Sequence, residues 1–293
     1  MPRLVFRQFI HRPLSHSLNM IATSPHSHST ATPRYSSAAT VTMMDVSHSY
    51  TSPPFTLSIP TLTIPEGEVL SIVGRSGVGK TTLLSLILGI VEPQNGRIFI
   101  GAQTPSSARS NGAFGVAFQN PSLLPWLTIF ENAALPWRLQ GTLPNVTRIE
   151  SLLSNVGLLE YRDAYPTDLS GGMKSRLSLA RAVALEPCIL VLDEPFSSLD
   201  EFTRLQMATL VSRLQQVTRS TMILVTHNAT EAILMSDRIL LLGRLPGGQK
   251  RTGIIREFRT EFRNSCDTNV INSEAFRASL SELARCFNDE GRL

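Results

Sequence analysis

An α/β domain is the fold class this sequence predicts, and three observations predict it. Short apolar runs at Val69–Val73, interrupted only by Ser71, and at 189–192 and 222–225 have the composition of strands buried on both faces of a parallel sheet. A glycine-rich loop at 74–79 separates the first of these from a helix-forming stretch at 80–88, the order of a strand–loop–helix unit. The middle third, broken at Pro125, Pro136, Pro144 and Pro166, has the pattern of a helical insertion. Around these, strands are expected at 39–46 and 56–64, and another at 97–100 after the turn dipeptide Asn95-Gly96. A further strand is expected at 238–242. Beyond it the chain turns polar, with turn signals at Pro246-Gly247-Gly248 and a helix over 273–287.

Composition limits the function classes. The chain has 293 residues, 42% of them apolar, which suits one large domain or one domain plus appendages. The net charge is +4, yet residues 1–44 hold Arg3, Arg7, Arg12 and Arg34 and no Asp or Glu, so residues 45–293 are neutral. The basic excess therefore gives no folded basic face, and no nucleic-acid partner is expected. Residues 1–38 are rich in Ser, Thr, His and Pro and have no apolar period, and are read as a disordered N-terminal extension. Its origin stays open between an organelle transit peptide, a solvated tail and an upstream start codon with the true start at Met20. His11, His16, His26 and His28 lack an ordered scaffold and are not read as a metal site. Cys188, Cys266 and Cys286 have neither zinc-site nor disulfide spacing and fit a reducing compartment. No apolar run approaches the ~18 residues of a membrane span, so any membrane association is expected to go through a partner.

The chemistry starts at Gly74-Arg75-Ser76-Gly77-Val78-Gly79-Lys80-Thr81, followed by Thr82, which matches G-x-x-x-x-G-K-[ST] between an apolar strand and a helix. Glycines in such a loop let backbone N–H groups converge on phosphates, aided by the helix N-terminus. Lys80 suits the β- and γ-phosphates, and the Thr81 hydroxyl suits Mg²⁺. A second motif, the apolar run 189–192 followed by Asp193 and Glu194, ends a strand in two carboxylates at the edge where α/β sheets bind ligands. Asp193 suits the metal and Glu194 the attacking water. Together the motifs read as a P-loop NTPase. A third segment, Leu169-Ser170-Gly171-Gly172-Met173, opens a helix with Ser170 as a natural cap and bare backbone amides, a second phosphate site that one nucleotide does not need.

These segments in this order resemble the ATP-binding subunits of ABC transporters, whose signature Leu-Ser-Gly-Gly-Gln stands here with Met173 last. The resemblance implies a mixed-sheet core with an antiparallel β-subdomain and a helical subdomain at about 120–185, within an ATPase domain at 39–245 followed by a short tail with a helix at 246–293. It also implies roles for single residues: Tyr50 stacking on adenine, Gln119 linking the subdomains and ligating Mg²⁺, and Asp200 within Ser198-Leu199-Asp200 contacting nucleotide. His227 would touch the γ-phosphate and orient Glu194. By the same resemblance two copies pair head to tail, each ATP lying between the 74–82 loop of one and Ser170, Gly171 and Gly172 of the other.

A free-standing unit of this kind resembles importer subunits, with export, lipid-trafficking and soluble non-transport ATPases as alternatives. Residues 118–128, Phe118-Gln119-Asn120-Pro121-Ser122-Leu123-Leu124-Pro125-Trp126-Leu127-Thr128, resemble the nitrate, sulfonate and taurine branch. The implied partners are a membrane permease, docking near residues 123–126, and indirectly a solute-binding protein, with the subunit at the cytoplasmic face of the membrane. Met173, Asn228 and Ser198 depart from the usual residues without removing a phosphate ligand. Glu194→Gln is therefore expected to bind ATP and hardly turn it over; a near-normal phosphate-release rate would refute the role given to Glu194.

Overall fold

The computed structural model describes residues 39–52, 54–246, 251–263 and 268–289; the readings of 1–38, of its four histidines, of Gly247-Gly248 and of Cys266 lie outside them. Along the chain run β1 (Val41–Thr51), β2 (Pro54–Ile64), β3 (Val69–Val73), α1 (Lys80–Ile87), β4 (Asn95–Ile100), α2 (Pro105–Ser110), β5 (Phe114–Ala117), α3 (Ile129–Leu139) and α4 (Val146–Asn155). The second half adds α5 (Gly171–Ala182), β6 (Ile189–Asp193), α6 (Glu201–Thr218), β7 (Thr221–Val225), α7 (Ala229–Met235), β8 (Arg238–Arg244), β9 (Arg251–Arg259), α8 (Thr268–Ile271) and α9 (Glu274–Asp289). Among the described residues no helix is long and apolar enough to cross a membrane.

One nine-stranded sheet has the order β4-β1-β2-β9-β8-β3-β7-β6-β5. The apolar runs make its parallel half: β3 pairs in parallel with β7 and β8, and β6 with β5 and β7. Every residue of β3 and β7 is buried, as strands covered on both faces must be. One apolar core joins the sheet to α3, α4 and α5, another joins it to β1, β2 and α1, and a third lies under α7 and α9. Cys188 is buried in the second, where burial pushes its thiol up to about 11, so it is held as an inert apolar side chain.

Four elements differ from the sequence reading. Asn95-Gly96 opens β4 instead of making a turn, because Gly96 lies against the β1 bulge between Met44 and Ser47. A Cβ at Gly96 would stand 2.4 Å from the Asp45 carbonyl oxygen. Pro136 lies inside α3 and does not break it. A Thr128–Glu131 capping box fixes the start of that helix, and buried Ala133, Ala134 and Trp137 outweigh the proline's cost. The short strand β5 was not expected; Gly115 lets it approach α5, since a Cβ there would meet the Ala182 carbonyl oxygen at 2.0 Å. Residues 246–293 are more than a tail with a helix, because β9 enters the sheet between β2 and β8.

The join at β9 centres on a buried charge. Arg238 donates to Glu68 Oε2 at 2.8 Å, to the Thr63 carbonyl at 2.5 Å and to Glu257 Oε1 at 3.3 Å, tying β8 to the end of β2, the entry to β3 and β9. Burial raises the Glu68 carboxyl above its ordinary range, and Arg238 opposes the rise. Removing one partner of such a pair strands the other in the interior. Arg238→Ala is expected to lower unfolding stability by about 3–5 kcal/mol, and the double change Arg238→Met with Glu68→Leu by much less. Denaturant titration of the three proteins checks the order.

Candidate functional site

Four parallel strands, β3, β5, β6 and β7, deliver their C-terminal ends to one cleft of about 940 Å³, and each end carries chemistry. After β3 the chain enters the phosphate loop. Gly74 passes under the Leu242 carbonyl of β8, where a Cβ would stand at 2.5 Å, so the loop can leave the sheet at that point only without a side chain. Gly79 has φ +102 and a Cβ there would meet the Phe55 ring at 2.5 Å. From it α1 begins, with the Leu83 amide donating to the Gly79 carbonyl. Lys80 Nζ donates to the carbonyls of Gly74 at 2.7 Å and Arg75 at 3.0 Å, which folds the lysine back over its own loop. Of the expected loop residues 74–82, all but Val78 line the cleft; Val78 turns its side chain into the core and its amide onto the Arg75 carbonyl.

The strand ends β5, β6 and β7 meet at one carboxylate. Glu194 follows β6 in the left-handed region, φ 46, with its amide donating to the Val225 carbonyl at the end of β7. That conformation costs a non-glycine residue, and its effect here is to turn the side chain out of the strand. Gln119 Nε2, two residues past β5, donates to Glu194 Oε2 at 3.0 Å. His227 Nδ1, two residues past β7, stands 3.4 Å from the same oxygen. The Glu194 side chain is 18% exposed and that of His227 is 66% exposed, so the carboxylate is held from behind and reached from the cleft. Asn132 steadies the segment after Gln119, binding the amide and carbonyl of Leu124 and the carbonyl of Leu127 from α3. Such a clasped carboxylate can accept a proton from a water lying between it and a phosphate.

The donors near Lys80 fit a small hard cation shared with phosphates. Thr81 offers a hydroxyl, Asp193 a carboxylate, and Gln119 its amide oxygen once its NH₂ is given to Glu194. Among the described residues no three His, Cys, Asp or Glu cluster as a metal site. Oxygen donors this few match Mg²⁺, which keeps its other positions for phosphate and water. Burial raises the Asp193 carboxyl, with Glu194 adding to the rise and Lys80 opposing it.

At the other end of the cleft Tyr50 and Phe55 face each other across the β1–β2 turn, ring centroids 6.3 Å apart, and His48 packs edge-on against Tyr50. Tyr50 is 41% exposed, as a ring open to a planar ligand has to be. The structure brings Tyr50, the loop, Gln119, Asp193, Glu194 and His227 together. It does not bring Ser170, Gly171, Gly172 or Asp200 to that cleft. Ser170 caps α5, accepting from the Met173 amide, and Asp200 caps α6, accepting from the Thr203 amide. The two caps belong to neighbouring turns: Ser175 and Ser198 share a hydrogen bond of 2.7 Å, and a Cβ at Gly172 would touch Leu199. Sequence reasoning missed Ser52, Phe55 and Phe287, all on the cleft wall. Phe55 is signalled by its cross-strand pairing with Tyr50; Phe287, on α9, has no signal in the local sequence.

Known proteins resemble this chain in sequence and in fold. Residues 57–197 match the family model described as ABC transporter. The chain is 42% identical over 184 residues to an uncharacterised ABC transporter ATP-binding protein of Bacillus subtilis (strain 168), covering 62% of this chain and 70% of the relative. It is also 42% identical over 192 residues to the taurine import ATP-binding protein of Escherichia coli (strain K12), covering 64% of this chain and 73% of the relative. Among solved structures, the dimeric post-hydrolysis state of the ATP-binding cassette MJ0796 bound to ADP and Pi matches with a TM-score of 0.66 at 29% identity, over 76% of this chain and 99% of that one.

The raised Asp193 carboxyl sets a trade between stability and chemistry. A carboxyl whose folded value lies above its unfolded value costs stability once the pH passes the unfolded value, so at neutral pH its charge opposes folding. Asp193→Asn is expected to raise the melting temperature of the nucleotide-free protein at pH 7, to leave it nearly unchanged near pH 3, and to abolish magnesium-dependent hydrolysis. Calorimetry at the two pH values, with a phosphate-release assay, checks all three.

Proposed function

The chain belongs to the ABC transporter ATP-binding proteins, with their cassette fold and ATPase activity, and from that premise we propose that it is the energy-coupling subunit of an importer for a small anionic or organic solute of the nitrate, sulfonate or taurine kind. The observation that carries the chemistry is the Glu194 carboxylate clasped by Gln119 and His227 at the mouth of the phosphate loop. In this reading ATP lies along the cleft, its adenine on Tyr50 and its phosphates against the loop amides from Gly74 to Thr82, with Lys80 released from its own carbonyls to the β- and γ-phosphates. Thr81, Asp193 and the Gln119 oxygen would hold Mg²⁺, which neutralises charge on the phosphates when bound. Glu194 accepts the proton of the attacking water and His227 holds Glu194 and the γ-phosphate in register.

The second half of each site comes from another copy. Ser170, Gly171 and Gly172 present a capped helix start with bare amides, well suited to a γ-phosphate and too far along the chain's surface to line its own cleft. Asp200 reaches the interface from the adjoining turn. ATP binding thus closes the dimer, and departure of the cleaved γ-phosphate that bridges the halves reopens it. The dimeric cassette structures support this arrangement.

Two features support the importer reading. Identity of 42% to taurine import ATP-binding proteins is one. The other is the segment after Gln119, where Leu123 packs into the helical core and Trp126 is 64% exposed, an apolar handle beside a catalytic contact where a permease can push. The assembly would sit at the cytoplasmic face of the membrane, bound through that permease, with the solute-binding protein on the far side. Its ATPase unit runs from residue 39 through β9, with about 120–185 as the helical part. Tagged Glu194→Gln protein drawn with ATP from detergent extracts of native membranes is expected to bring a polytopic permease and a solute-binding protein; recovery of a soluble machine or an export complex instead would contradict the importer assignment.

A further inference from the structure

Behind the cleft lies a largely covered carboxylate that the hydrolysis chemistry does not use. Glu231, in the first turn of α7, is 11% exposed in its side chain. Its Oε2 accepts from the Thr226 hydroxyl at 2.5 Å, and Thr226 is the residue between the end of β7 and His227. The same hydroxyl oxygen accepts from the Asn228 amide at 3.0 Å, while the Asn228 side chain accepts from the amides of Thr230 and Glu231. His227 is therefore flanked by two residues fixed to one knot, of which Glu231 is the charged member. Its other oxygen faces α6: Arg204 Nε stands 3.5 Å from Oε1. Arg204 in turn donates from Nη2 to the carbonyl of Leu199 at 3.1 Å, one residue before Asp200.

The contact between Glu231 and Arg204 is close and incompletely made. Arg204 Nε is buried and makes no hydrogen bond, though a carboxylate oxygen is 3.5 Å away. A buried guanidinium N–H beside an acceptor is an unspent interaction, and a shift of a few tenths of an ångström would complete it. Burial raises the Glu231 carboxyl above its ordinary range, and the charges of Arg204, His227 and Glu194 all act on it, so this group feels both the catalytic pair and the 198–200 turn.

We propose that Glu231 is a positioning residue that sets His227 and the Ser198-Leu199-Asp200 turn together, through Thr226 on one side and Arg204 on the other, so that hydrolysis geometry in one cleft follows the seating of that turn. The proposal rests on the reading of Glu194, His227 and Asp200 given above. It assigns Glu231 no contact with nucleotide; it acts through the backbone on either side of His227. Removing its charge leaves the phosphate loop, Tyr50 and Asp193 untouched.

The test is kinetic, on the full chain. Glu231→Gln and Arg204→Gln are each expected to lower kcat about tenfold or more while changing equilibrium ATP affinity by less than about twofold, and the double variant to lose no more than the stronger single one. Melting temperatures are measured alongside. Arg204→Gln keeps the proposal testable if Glu231→Gln does not fold, because the Arg204 side chain is 32% exposed. Wild-type kcat in both variants overturns the proposal, and so does a loss of kcat that comes with lost ATP affinity and a lowered melting temperature, which would mark Glu231 as packing only. Glu194→Gln and His227→Ala serve as controls: if these keep full turnover, the site reading itself falls and takes the proposal with it, whereas their inactivity beside a normal Glu231→Gln overturns the proposal alone.

Discussion

The Glu194 carboxylate depends on three strand ends at once, and that dependence orders the rest of the molecule. Its own backbone turns left-handed where β6 ends and is pinned by the last carbonyl of β7, while its side chain is taken up by residues two positions beyond β5 and β7. Such a clasp needs β5, β6 and β7 to be adjacent, parallel and in register to within a fraction of a residue. Parallel neighbours can be joined only through crossovers, so helices must lie on both faces, and the strands must be largely apolar. The all-buried composition of β3 and β7 is in this sense a consequence of the chemistry at their ends.

What was legible in the sequence is what repeats a local physical requirement. The phosphate loop needs glycine at 74 and 79 because a carbonyl and a ring occupy the space of a Cβ, and those glycines stand beside Lys80 and Thr81 in a contiguous stretch. Ser170 is a cap, readable from its own residue type and the glycines after it, whereas the capping of α6 by Asp200 emerged only in the structure. The features that escaped are those decided by distant partners. Gly96 looks like a turn until the bulge at Asp45, half a hundred residues away in sequence, is known to lie against it. Pro136 looks like a break until α3 is seen packed and capped. β9 has few apolar residues and reads as tail, because it is held by its place between β2 and β8 and by Arg238 more than by its own composition. Phe287 reaches the cleft only because Phe276 and Leu283 seat α9 against α7 and the end of β3.

The phosphate loop and the capped start of α5 lie in two separate places. The loop and the clasp form one wall, and the capped start of α5 forms another surface, joined to the 198–200 turn by Ser175 and Leu199. A single nucleotide in the cleft meets only the first. In the proposed dimer, this separation leaves each monomer with half of a site and makes the contact between copies depend on the phosphate that bridges them, so that its departure becomes a change of shape.

Sedimentation velocity of the Glu194→Gln protein with and without ATP tests this most directly. ATP is expected to convert monomer into dimer, and the conversion is expected to disappear when Ser170 is also changed to arginine, which blocks the amides at the start of α5 while leaving the chain's own cleft free to bind ATP. A protein saturated with ATP that remains monomeric, or a dimer indifferent to the Ser170 change, would contradict a site built from two copies.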